Sequence, residues 1–250
     1  MNRYFIELSF KGTRYHGWQQ QPNAESVQAV IDNALSTLVH EQVETTGAGR
    51  TDAGVHALFF TAHFDTSHRI DDYKDFVYKM NALLPRDMVV HEVYPVKPDI
   101  HARYSALSRT YTYTLCHTRD PFIDDLSWNY SGVLDIALMN KACGILLETN
   151  DFTSFSKLHT DVKNNICKLT NAFWNENGNL LVFTITGNRF LRNMVRAIVG
   201  TLVDLGRGRI SLEEFGEIID GKDRRLAGFS VPAQGLMLTG IAYPPDIRLT

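Results

Sequence analysis

Apolar residues recur along this chain with period two in some stretches and period 3.6 in others, without a regular strand–helix–strand rhythm. That mixture predicts an α+β fold, a mostly antiparallel central sheet flanked by helices. Arg109 to Leu115, RTYTYTL, alternates strictly and sets Tyr111, Tyr113 and Leu115 on one face, as a half-buried strand does. A strand–helix–strand order occurs on either side of about residue 105, which predicts two related halves, residues 1–104 and 105–250.

Taken in order, Tyr4 to Phe10 alternates as a strand and Lys11-Gly12-Thr13 reads as a turn. Val27, Val30, Ile31, Ala34, Leu35, Leu38 and Val39 recur at three and four residues, one apolar helix face with Ser26 as its cap. Ala57 to Phe64 is a mostly apolar strand. Asp72 to Leu84 is a helix stopped by Pro85. In the second half the expected elements are a strand at 109–115, a helix over 134–147 and a strand over 180–186. A long helix over 190–205, a shorter one over 212–219 and a last strand over 236–243 complete it.

Composition narrows the class. The chain has 250 residues, 44% hydrophobic and 21% charged, with no run of about 18 apolar residues for a membrane span. The first residues, MNRYFIELSF, have strand alternation rather than the apolar core of a secretion signal. Cys116, Cys143 and Cys167 are odd in number and widely spaced, so a reduced, cytoplasmic setting is expected. His56, His63, His68, His101 and His117 fit no zinc spacing, and no GxSxG elbow occurs, so neither a metal enzyme nor a serine-triad enzyme is expected. Net charge is −3, yet residues 186–209 carry five arginines against Asp204, and residues 97–119 carry four basic side chains against Asp99. Two basic segments in an acidic chain are compatible with a polyanion held in one groove, and equally with ordinary charge scatter.

The most unusual text is GAGRTDAGVHA, Gly47 to Ala57. Three glycines and three alanines surround Arg50, Thr51, Asp52 and His56. Small residues let backbone approach a ligand closely, and glycine admits positive φ. The lysine of a phosphate-binding loop is missing, and the third glycine misses a dinucleotide fingerprint by two positions. Two readings of Asp52 stand on pattern alone: a single carboxylate presented on a tight loop, or an aspartate that caps backbone amides. On the same terms Tyr111 reads as a core aromatic of its strand, and Leu236 as a core leucine. At 100° per residue, Arg192 and Arg196 of the expected 190–205 helix and Arg189 just before it fall within roughly 60° of one another. They are a ligand-facing stripe or a solvated face.

AGRTDAGVHA resembles the catalytic loop of the tRNA pseudouridine synthase A family. Further segments match in the same order: YHGWQQQ at Tyr15, LP at Leu84, HARYSA at His101, RTYTY at Arg109, DFTSF at Asp151, MVRAIVG at Met194 and GLML at Gly235. The resemblance implies isomerisation of uridine to pseudouridine at positions 38–40 of the tRNA anticodon stem-loop by a homodimer needing no cofactor or metal. It implies Asp52 as the catalytic carboxylate and Tyr111 as the ring packed on a flipped-out uracil. It also implies Arg50 as the residue that helps hold the base out or occupies its place, Arg196 as the partner of Asp52, and Leu236 on the pocket wall. Arg189 and Arg192 are then candidates for phosphate contacts. An aspartate serving at C1′, at C6 or as a base on the sugar would satisfy the pattern equally. Departures from the family pattern at Lys11-Gly12, Phe229-Ser230 and Cys167 leave the preferred uridine and tRNA open. The rival classes are a noncatalytic binder of structured RNA, which has no use for Asp52, and an aspartate-dependent hydrolase, which would release a product.

Overall fold

Strand β1 (Asn2–Phe10) is the axis of one half of the computed structural model, which describes residues 1–157 and 164–249. It lies between β3 (His56–Thr66) and β4 (Met88–Pro95), antiparallel to both. The short β2 (Thr46–Gly47) pairs antiparallel with β3 near Ala62 and His63. β9 (Leu236–Ala242) lies next to β3 on its other side. The chain divides into two compact units, Met1–Leu107 with Leu238–Thr250, and Ser108–Met237.

In the first unit the middle of β1 is covered on both faces, because Phe5, Ile6 and Leu8 are all fully buried. Helix α1 (Val27–Val39) turns Val27, Ile31 and Leu35 inward, and Ser26 caps it by accepting from the Ala29 N–H. Helix α2 (Tyr73–Leu83) starts at Asp72, whose carboxylate accepts from Lys74 N and Asp75 N at 3.0 Å. Its Asn81 exchanges two 2.8 Å hydrogen bonds with the backbone of Val90. Those bonds occupy polar groups that an outer strand otherwise leaves open. The C-terminal segment returns to this unit: Tyr243 packs edge-on against Phe5 at 5.2 Å, and Lys97 N donates to Ile247 O.

The second unit is built on β5 (Ser108–Cys116), antiparallel to β8 (Leu180–Gly187), which is antiparallel to β7 (Leu169–Asn177). β6 (Trp128–Asn129) pairs parallel with the end of β5, so the sheet is mixed. β7 and β8 join through Gly178-Asn179, with Gly178 at φ +59, glycine standing where a type II′ hairpin turn needs it. Helix α3 (Ile136–Glu148) repeats the asparagine device of α2: Asn140 accepts from Trp174 N at 2.8 Å and donates to Trp174 O. Helix α4 (Met194–Gly206) is buried along most of its length, and α5 (Leu212–Asp220) starts with a Ser211–Glu214 capping box.

The fold is therefore α+β, as the sequence predicts. One expectation is corrected, and two strands are added. The long helix does not start at Phe190. Asn193 takes a left-handed conformation, φ 65, just before Met194, and a left-handed residue cannot continue an α-helix. Strands β4 and β7 go beyond the sequence reading, which has no element at either place.

Candidate active site

Asp52 opens a turn. Val55 N donates to Asp52 O at 3.2 Å, and Gly54 sits at φ +79, the value a type II turn demands at its third residue. The turn joins β2 to β3 and is held from behind by the segment Gly12 to Trp18. Gly54 N donates to Tyr15 O, and Trp18 N donates to the Thr51 hydroxyl at 2.9 Å. The approach is too close for side chains. A Cβ on Gly12 would lie 2.0 Å from Val55 O, and one on Gly17, at φ +87, would lie 2.2 Å from Thr51 O.

The rest of that support is buried aromatic surface. The Trp18 ring stacks on Phe60 at 4.2 Å and fills the space a side chain at position 47 would need. Tyr15 donates to Asp87 at 2.8 Å; burial, with that bond, pushes its phenol pKa up. His56 is 1% exposed and accepts the Gly12 N–H on Nδ1 at 2.9 Å. The YHGWQQQ segment thus buries Tyr15 and Trp18 as supports. It exposes Gln19 and Gln20. Asp52 itself is half-buried and Arg50 is exposed.

The second unit carries the other residues singled out from the sequence. Tyr111 lies on β5 opposite Ile185, half-buried, and meets Phe190 edge-to-face at 5.2 Å. Two residues on, Tyr113 is fully buried and donates to Pro232 O at 2.9 Å; its pKa is raised by burial. Tyr113 also packs where a Gly235 side chain would stand, and so supports the turn that delivers Leu236, which is 6% exposed.

Arg196 is the one member of the arginine stripe on α4. Its Nε donates to Val231 O at 2.7 Å, and Val231 N donates back to Arg196 O. Arg189 and Arg192 lie in the loop before α4. Arg189 donates to Asn164 Oδ1 at 3.3 Å, and Arg192 is exposed, its carbonyl accepting from Lys157 N. The single helical stripe of three arginines is thus not formed.

Sequence reasoning passed over Arg224. Its guanidinium donates to Ala227 O, Gly228 O and the Ser230 hydroxyl, tying down the segment that holds Arg196. Gly200 is the matching contact on α4, where a Cβ would lie 1.9 Å from Phe229 O. An Arg-Arg pair in a loop has no period to betray it; the signal is the turn-rich stretch AGFSVP that follows RRL and needs donors.

Comparison with known proteins gives this geometry its class. A family model described as tRNA pseudouridine synthase matches residues 8–105 and 142–244. A tRNA pseudouridine synthase A of Parabacteroides distasonis is 49% identical over 99% of this chain and 98% of its own length. Its namesake in Bacteroides thetaiotaomicron is 50% identical over 99% and 93%, and one in Acetivibrio thermocellus is 38% identical over 97% and 100%. The chain is an RNA-modifying isomerase, not a noncatalytic binder. It belongs to the tRNA pseudouridine synthase family.

Proposed function

We propose that this protein isomerises uridine to pseudouridine at positions 38–40 of the tRNA anticodon stem-loop, with Asp52 as its catalytic carboxylate. The reaction breaks the C1′–N1 bond, turns the uracil and joins C1′ to C5. C5 gives up its proton and N1 gains one, so the product is an isomer and no electron carrier takes part. One carboxylate held in a fixed place suits that chemistry. The observation that carries the reading is the Asp52 turn, fixed by two glycine contacts that exclude any side chain and by the Trp18–Thr51 bond.

In this reading a stacked uridine must leave its helix before it reacts. Tyr111 packs on the extruded uracil, Leu236 lines its pocket, and Arg50 holds the base out. Arg196 is assigned to pair with the Asp52 carboxylate. Arg189 and Arg192 meet phosphates. The backbone anchor of Arg196 on Val231 and the edge contact of Tyr111 with Phe190 support these roles, since both fix side chains a substrate could use. We place the enzyme in the cytoplasm as a homodimer. Three buried, unpaired thiols support the location: burial pushes Cys143 up to about 12 and Cys167 up to about 11.

The test is an unmodified tRNA transcript incubated with the protein and no additive. Pseudouridine is expected at positions 38–40 with wild type and at least a thousandfold more slowly with Asp52→Asn, the scale lost when a reacting group is removed. Product formation by Asp52→Asn at the wild-type rate sinks the assignment. Release of free uracil makes the protein a hydrolase instead.

A further inference from the structure

The HARYSA segment, His101 to Ala106, has no part in the roles above. It presents two exposed side chains on a fixed backbone. His101 Nδ1 accepts from Arg103 N at 3.0 Å and Tyr104 N at 3.3 Å. His101 N donates to Ser105 Oγ, and Ser105 N returns a bond to His101 O. Below it, the buried His63 packs edge-on against the His101 ring at 4.7 Å and accepts from Ala102 N. Burial, first, and the charge of Arg3 depress the pKa of His63 to about 4, so it stays a neutral acceptor at any working pH.

On this support the Tyr104 ring is 76% exposed, with the Arg103 guanidinium 5.7 Å from its centre. Arg103 also lines a cleft of about 110 Å³ that opens beside the Asp52 loop, with Trp18, Gln19, Gln28, Glu44 and Arg50 on its walls. The wall is rigid, because Gln28 binds Gln19 Nε2, Gln20 N and Thr45 O at once. Two arginines face one acidic side chain there, so the cleft favours an anion. A guanidinium beside an exposed ring is the pairing that holds a nucleotide by phosphate and by base face.

We propose that this cleft is a second nucleotide site for the RNA, distinct from the uridine that reacts. One phosphate lies against Arg103, and the sugar or base of the same nucleotide rests on Tyr104. The proposal rests on the tRNA reading above and deepens it, by naming where a neighbouring nucleotide is gripped.

The experiment measures the Kd of an unmodified tRNA transcript by filter binding across a salt series, and kcat and KM for pseudouridine formation, for wild type, Arg103→Gln, Arg103→Lys and Tyr104→Ala. Arg103→Gln is expected to weaken Kd and raise KM about tenfold, and to make the slope of log K against log salt shallower by about one, the signature of one lost phosphate contact. Arg103→Lys should keep that slope, since a lysine still neutralises a phosphate. Tyr104→Ala should raise Kd and KM about 5- to 100-fold with the slope unchanged, as stacking is lost without charge. Unchanged Kd and salt slope in both Arg103→Gln and Tyr104→Ala overturn the site. So does a loss confined to kcat, which would make the segment a support and not a grip. Wild type that binds the transcript but forms no pseudouridine defeats the functional reading instead.

Discussion

Gly17→Ala is the sharpest probe of how the Asp52 turn is held. The glycine sits at φ +87, where an alanine is strained by about 1–2 kcal/mol. Its new methyl would stand 2.2 Å from Thr51 O, and the Asp52 carbonyl carbon is 3.3 Å away. Relief to even a tight 3.0 Å contact needs a displacement of about 0.8 Å, and overpacking of that kind costs about 1–3 kcal/mol. The strand ends on either side are fixed, so the displacement falls on residues 51 and 52. A reacting group moved by about 1 Å loses about a hundredfold in rate. The variant should therefore melt about 5–15 °C lower, at about 2–4 °C per kcal/mol for a chain of this size. At 20 °C, where it remains folded by circular dichroism, kcat on an unmodified transcript should fall about a hundredfold while the Kd for that transcript holds within threefold. A folded variant with kcat within threefold of wild type refutes the claim that Gly17 sets the position of Asp52.

Two further predictions concern buried polar groups. His56→Leu leaves the Gly12 N–H unpaired in the core and should destabilise by about 1–3 kcal/mol, whereas His56→Asn sets Oδ1 near the vacated Nδ1 and should recover most of that. Equal melting temperatures for the two variants would refute it. Asp32 is buried, and burial raises its carboxyl pKa to about 6 despite the bonds from Thr45 N and Oγ1. Its folded pKa lies above the unfolded value of 3.8, so stability declines as pH rises from about 4 to 6 and stays at that lower level above. Asp32→Asn should melt with wild type at pH 4 and above it at pH 7. Thermal scans at the two pH values check this, and a gap that does not widen with pH counts against it.

Much of the fold was readable because its signals are local. The apolar face of α1, the Ser26 cap and the Pro85 stop each depend on a few neighbouring residues, and each is found where expected. Strand β4 was missed because MVVHEVYP lacks clean alternation; it is held from the side by Asn81, far outside any window that reads period two. Strand β7 is polar, and its signal was the Asn-Gly-Asn turn that follows, not the strand. The arginine helix failed for a related reason. Periodicity carries no record of one left-handed asparagine, so the reading extends the helix back to Phe190 and lines up Arg189 and Arg192 with Arg196, although the helix begins only after both. At the site, GAGRTDAGVHA was legible as an oddity. Its physical cause was not: glycines 12 and 17 are small because residues 55 and 51 press on them, contacts between stretches over thirty residues apart that no spacing rule connects.

The first unit is discontinuous: its residues 1–107 are completed only by residues 238–250, which bring β9 beside β3 and settle Tyr243 and Ile247 on the Phe5 cluster. During synthesis the ribosome must deliver the whole of Ser108–Met237 before that edge of β3 can be covered. Until then the nascent half carries an unpaired strand and an unfilled apolar hollow, a binding target for chaperones and for strands of neighbouring nascent chains. Catalytic competence therefore arrives late, once residues 238–250 have joined the first unit, even though the aspartate that we assign to the chemistry is synthesised long before them.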